Sequence, residues 1–198
     1  MFIHGREAYR RNSLLVCYNF YKNVVYVSPQ YWFGIFSVFS GQPLYEPWIY
    51  QMFNILFASA PIVWYALYDF QFKKEEFLTN SKHYSIGLNK ECFSTKVFWN
   101  WVLYGFFHGL TLLMICLYCL EVTQNNTGSP SDLFTSGHFV YGGAVIIVTL
   151  NLANNMTSYH YIAYILCILS VMSFWVWLYL ENLFVFFKEV FGIFTFIA

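Results

Sequence analysis

Charge is what this sequence has least of. Ten Lys and Arg balance ten Asp and Glu over 198 residues, so 10% of the chain is charged against roughly 25% in soluble domains. The zero net charge gives no argument for a nucleic-acid partner. No charged residue occurs at 23–45, 47–68, 97–120 or 133–180. Cysteine is scarce as well, with five in the whole chain, and nothing in their spacing forces a disulfide framework. Cys116 and Cys119 form a C-x-x-C within an apolar stretch, without a second pair or a neighbouring histidine, and read as packing residues.

What fills the charge-free stretches is hydrophobic and aromatic, 59% and 24% of the chain. A helix needs about 20 apolar residues to cross ~30 Å of hydrocarbon, and each gap is long enough. The longest, 133–180, is divided by the polar run NLANNMTSYH at 151–160 and holds two spans. The chain therefore reads as all-α, a polytopic transmembrane helix bundle with spans at about 14–39, 48–68, 97–120, 133–151 and 160–180. A sixth apolar run, VFGIFTFIA at 190–198, is too short to cross, giving five complete spans plus a truncated sixth and a chain expected to stop early. Residues 1–13 form a basic lead-in, and 14–198 the transmembrane domain.

The basic residues orient the bundle. Arg6, Arg10 and Arg11 precede the first span; Lys73, Lys74, Lys82, Lys90 and Lys96 lie between the second and third. The loops 40–47 and 121–132 contain neither Lys nor Arg. Positive loops stay cytoplasmic, so the N-terminus is expected inside and the end of the fifth span outside, with Lys188 the one residue against the rule. Trp48, Trp99, Trp101, Trp175 and Trp177 fall near span ends, as an aromatic belt requires. The apolar run after Arg11 is too long for a signal peptide and lacks a small-residue cleavage site, so it reads as a retained anchor.

Within the first span a lysine, Lys22, sits between polar neighbours. Asn19, Lys22, Asn23, Tyr26 and Gln30 recur at helical spacing, and Gly34, Ser37 and Gly41 continue the row. A charge at bilayer depth costs roughly 2.5–3.5 kcal/mol on insertion scales, so such a stripe is expected to face other helices or a watery crevice. Pro29 leaves the Val25 carbonyl without its intrahelical donor, and Pro61 does the same to Phe57. The second span carries a weaker polar row: Gln51, Asn54, Ala58, Pro61 and Tyr65, with Ser59 beside it. Asn54, Ser59 and Lys22 lie at successive depths from the outer loop, a staggered trail suited to a moving polar group. The competing reading has Lys22 snorkelling to the inner surface while the asparagines bind helices together.

Gly105 and Gly109 make a G-x-x-x-G close-packing signal. His108 beside them has no partner at equal depth for a haem, and reads as packing or hydrogen bonding. Asn125 heads an N-x-T sequon on the expected outer side, a glycosylation signal of low specificity.

Several stretches together carry a family likeness: HGREAYRRNS at 4–13, YNFYKN at 18–23, FSGQPLYEPW at 39–48, the N-x-L-F-x-S-x-P of Asn54 to Pro61, and KVFWNWVLYGFFHGL at 96–110. They resemble the phospholipid flippases, the type IV P-type ATPases, over nearly the whole chain, corresponding to spans five to nine of a ten-span core. The resemblance implies ATP-driven transfer of phospholipid from the outer to the cytoplasmic leaflet of a eukaryotic plasma membrane or endomembrane. It implies that Lys22 handles the lipid headgroup and that Asn54 lies near where a headgroup enters. It also implies a glycosylated accessory β-subunit docking on the outer loops. Ala58 departs from the family's common threonine, which removes one polar contact.

These residues contain no D-K-T-G-T phosphorylation motif and no nucleotide-binding domain. No acidic cluster suited to holding Mg²⁺ for phosphoryl transfer stands out in the sequence. ATP and Mg²⁺ are thus expected of the full-length family protein, with no cofactor, metal or catalytic residue in this chain. The chain is expected to be a partial gene product or the translocation half of a split or decayed flippase. A stand-alone membrane scaffold that binds lipid or the accessory subunit without turnover is the alternative.

Overall fold

The computed structural model describes residues 2–72, 87, 91–120, 133–158 and 161–183. Most of the loop between the second and third spans lies outside the described residues. So do the loop with Asn125, residues 159–160 and everything after 183, including Lys188 and the sixth apolar run.

All regular structure among the described residues is helical. Helix α1 runs Phe2–Phe36, α2 Pro47–Met52, α3 Ser59–Tyr68, α4 Thr95–Leu120, α5 Leu133–Asn155 and α6 Tyr161–Leu183, with a π-helical turn at Phe53–Phe57 between α2 and α3. Among the described residues, three helices are long and apolar enough to cross a membrane, over Thr95–Cys119, Leu133–Asn155 and Tyr161–Glu181. Helix α1 runs through the basic lead-in into the apolar stretch without a break.

Helix α5 is the centre of the bundle. Its most apolar window is 56% buried inside the fold, against 28% for α4 and for α6. Three glycines allow the crowding. A Cβ at Gly137 would collide with the Leu44 carbonyl, one at Gly142 would come within 2.7 Å of the Phe174 ring, and one at Gly143 within 2.6 Å of Leu112. Around α5 the core is aromatic. Tyr26 of α1 stacks on Phe53 at 4.4 Å and on Tyr45 at 5.1 Å. Tyr141 stacks on Phe174 at 5.5 Å, and its hydroxyl donates to the Ile49 carbonyl at 3.0 Å. The burial of such rings is the main cohesive contribution where lipid, itself apolar, offers no hydrophobic drive between helices.

The second apolar stretch, expected as one continuous helix, is instead interrupted. Ala58 N–H bonds the Phe53 carbonyl at 3.1 Å, five residues back, which is the π pattern. The cause lies in Pro61, which has no N–H for the Phe57 carbonyl and is tolerated in the first turn of α3. The freed carbonyl is not left bare: Ser170 Oγ of α6 donates to it. An orphan acceptor in hydrocarbon would cost several kcal/mol, and the hydroxyl of a neighbouring helix removes that cost.

At one end of the bundle the basic lead-in is tied into a polar network. Arg10 bridges Glu7 at 3.1 Å and Asp69 at 2.8 Å, and Arg6 reaches Glu7 at 2.6 Å and Gln71 at 2.8 Å. Arg11 caps the C-terminal end of α3 through the Ala66 and Leu67 carbonyls at 3.0 and 3.2 Å. Asp69 also accepts from the backbone N–H groups of Thr157 and Ser158 at 3.1 and 2.8 Å, and from their hydroxyls at 2.9 and 2.7 Å. Burial pushes the Asp69 carboxyl up, but the hydrogen bonds from Ser158, Arg10 and Thr157 outweigh it and hold it below the usual carboxylate range.

At the opposite end α1 closes in a tight turn. Phe39 N–H bonds the Gly34 carbonyl at 2.7 Å, six residues forming the loop, and both Val38 and Phe39 take φ of 53°. Gln30 Oε1 then accepts the Leu44 N–H at 2.7 Å, fastening the returning segment of the hairpin to α1.

Candidate functional site

The polar stripe of α1 straddles the edge between the helix's buried and open faces. Lys22 is only 7% exposed and Tyr26 2%, whereas Asn19 and Asn23 are exposed. Lys22 makes no hydrogen bond or ion pair among the described residues. The Tyr26 hydroxyl is buried without a hydrogen-bond partner among the described residues. Gln30 is committed to Leu44, and it also lines a shallow cavity of about 300 Å³ with Gly34, Ser37 and Gly41 at the hairpin end.

Asn54 is exposed on the π turn, and Ser59 is half-buried with its hydroxyl donated to the Ile55 carbonyl at 2.5 Å. The structure thus brings Tyr26 against Phe53, the residue before Asn54, while Asn54 itself points to the surface of this chain. The glycine pair, on α4, packs against another part of α1. A Cβ at Gly105 would sit 3.0 Å from Val24 and 3.2 Å from the Tyr21 carbonyl; one at Gly109 would meet the Ser28 hydroxyl and, at 3.0 Å, Pro29. Pro29 and the two glycines therefore set the α1–α4 contact, and Pro61 the break in the second stretch.

Two features were not anticipated from the sequence. One is a cavity of about 410 Å³ on the α4 side of α1, lined by Tyr21, Asn100, Tyr104, His108, Asn151 and Asn155 among others. There His108 Nδ1 and the Tyr21 hydroxyl lie 2.6 Å apart, so this histidine is engaged in hydrogen bonding. The signal available was the spacing of polar residues four apart in otherwise apolar helices: Asn100, Tyr104 and His108, and Asn151 with Asn155. The other is a buried group of Glu46, His138 and Glu181 whose ligand atoms lie within 4.8 Å of one another. Cys116 is buried with its thiol toward the Ser136 carbonyl at 3.4 Å, and all the described cysteines are free.

The C-terminal family model of phospholipid-translocating P-type ATPases matches residues 1–198. The chain belongs to that family. Among its relatives, the phospholipid-transporting ATPase C887.12 of Schizosaccharomyces pombe is 31% identical over 181 residues, 90% of this chain and 14% of that protein. Human phospholipid-transporting ATPase VD is 31% identical over 174 residues, 88% of this chain and 12% of that protein. The phospholipid-transporting ATPase DRS2 of Saccharomyces cerevisiae is 32% identical over 151 residues, covering 75% and 11%. The chain thus spans about one-seventh or less of the length of these flippase-family proteins. Family membership and three apolar helices of spanning length make it a membrane protein.

Proposed function

We propose that this chain is the C-terminal membrane part of an ATP-driven flippase that moves phospholipid from the outer to the cytoplasmic leaflet, with Lys22 on the headgroup path. In this reading α1, the interrupted α2–α3 stretch, α4, α5 and α6 all cross the bilayer, and the Lys/Arg asymmetry places the N-terminus in the cytoplasm. ATP and Mg²⁺ act on parts of the family protein outside these residues, and the accessory β-subunit docks on the outer loops. That the relatives are phospholipid-transporting ATPases supports the substrate class.

The observation that carries the reading is Lys22 itself: a lysine 7% exposed as a whole residue, without an anionic partner among the described residues, flanked by the exposed amides of Asn19 and Asn23. A snorkelling lysine needs neither burial within the bundle nor amide neighbours. A desolvated ammonium attracts a phosphate far more strongly than one in water, and neutral amides add hydrogen bonds without holding the lipid too tightly to release. Asn54, on a π turn that re-aims its side chain outward, suits the earlier part of the path.

The test is Lys22→Ala and Lys22→Arg in the assembled full-length transporter, followed by lipid-stimulated ATPase activity and labelled-lipid uptake. Both variants are expected to reach the membrane with apparent lipid affinity reduced, arginine being a partial substitute. Unchanged stimulation and uptake by the alanine variant at equal protein level would refute the assignment.

A further inference from the structure

We propose that Glu46, His138 and Glu181 form a binding site for a divalent transition-metal cation of the zinc class, separate from Lys22 and independent of the lipid-path reading. Glu46 immediately precedes α2, His138 lies in the second turn of α5, and Glu181 in the last turn of α6. Their side chains converge at the hairpin end, where the three residues are 8%, 2% and 1% exposed. Each offers a ligand atom, and the three atoms lie within 4.8 Å of one another.

The hydrogen-bond accounting at His138 points to a cation. Its Nδ1 is 2.6 Å from the carbonyl of Phe134 on its own helix. A carbonyl can only accept, so Nδ1 carries the proton, and Nε2 is the nitrogen left to face the carboxylates. Nε2 lies 3.3 Å from Glu181 Oε2. A lone pair and a carboxylate oxygen do not hold one another unless a positive charge lies between them. A proton on Nε2 would supply that charge as an ion pair, and a bound cation would supply it equally. Two ligands on a tetrahedral metal at about 2.0–2.1 Å stand roughly 3.4 Å apart, which is the spacing found.

The surroundings have the character of a ligand-orienting shell. Backbone carbonyls that hold the second nitrogen of a ligating histidine are the usual arrangement, and Phe134 provides one. The indole N–H of Trp177 donates to Glu181 Oε1, which turns Oε2 toward His138. One imidazole and two carboxylates leave a fourth position for water, and the neighbouring Gly41, Gln42, Pro43 and Trp48 are exposed. A metal there would staple the hairpin to both α5 and α6.

The experiment uses the purified full-length protein, stripped with chelator and then titrated with Zn²⁺, with bound metal counted per chain; Co²⁺ in parallel reports the coordination through its d–d spectrum. The expected result is one further metal per wild-type chain than His138→Gln or Glu181→Gln retains, or an affinity in those variants reduced about 100-fold or more. Trp177→Phe, which leaves all three ligands in place, is expected to weaken binding about 10–100-fold. Should the ligand variants fail to fold, X-ray absorption at the zinc edge of the wild type decides: one nitrogen and two carboxylate oxygens support the site. A wild type that binds no more metal than His138→Gln, or an edge spectrum without a histidine–carboxylate set, would overturn the proposal and leave the three residues sharing a proton.

Discussion

Replacing Asp69 by asparagine should loosen the Arg10 end of the bundle more than any other single change of similar size there. The carboxylate is 3% exposed and accepts from Arg10, from Thr157 twice and from Ser158 twice. It therefore ties α1, the end of α3 and the α5–α6 connection together through one side chain. Breaking a buried charge pair by removing one partner costs about 3–5 kcal/mol. Asparagine keeps one acceptor oxygen, and Arg10 keeps Glu7, so Asp69→Asn should fall near ~3 kcal/mol and Asp69→Ala nearer the upper bound. For a domain of this size about 1 kcal/mol shifts Tm by roughly 2–4 °C, so the asparagine variant should melt about 6–12 °C lower at neutral pH. The assay is tryptophan-fluorescence melting in detergent at a matched scan rate. The sign of the pH dependence adds a second check. The folded carboxyl is held below its unfolded value of 3.8, so its stabilisation is complete above that pH and is lost as the pH falls through the folded value. The gap between wild type and variant should accordingly narrow below pH 3.8. A variant that melts within about 1 °C of wild type at neutral pH would refute the argument, as would a gap unchanged by acid.

Two further predictions concern the interior. Ser170→Ala should cost about 1–3 kcal/mol by stripping the Phe57 carbonyl, and Pro61→Ala, which restores an N–H to that carbonyl, should make the serine change cheaper. A double-mutant cycle that came out strictly additive would show that the two sites do not serve the same acceptor. Gly137→Ala should be destabilising by about 1–3 kcal/mol, since its Cβ meets the backbone carbonyl of Leu44; Gly143→Ala meets only the tip of Leu112 and should be tolerated. Equal melting temperatures for the two alanine variants would contradict this.

Charge-free stretches located α4, α5 and α6 to within a few residues, because the length of a bilayer crossing leaves so little freedom in where charges stand. Pro61 announced an orphaned carbonyl at Phe57, and the structure adds the identity of the donor, Ser170, from a helix more than a hundred residues later. The pairing of Arg10 with Asp69 was beyond reach for the same reason: a charge count distinguishes sides of a membrane but not partners. The stripe on α1 shows the limit most plainly. At about 100° per residue Lys22 and Asn23 sit on opposite edges of the polar arc, so a helix can bury one and expose the other. Periodicity marks the arc; only the neighbouring helices decide which edge turns inward. The glutamates and histidine at the hairpin end come from three separate elements, and no spacing rule joins them.

The turn after α1 has a mechanical consequence. Val38 and Phe39 are consecutive non-glycine residues in the left-handed region, each disfavoured there by roughly 1–2 kcal/mol, and they stand 85% and 72% exposed with little packing to offset it. The turn's own bonds, Phe39 N–H to the Gly34 carbonyl among them, hold part of this strain, and the Gln30 bond to Leu44 and the Leu44 carbonyl seated on Gly137 fix the chain beyond it. The hairpin behaves as a loaded spring with its catch on α5: whatever draws Leu44 away from Gly137 also releases part of the strain at the tip of α1.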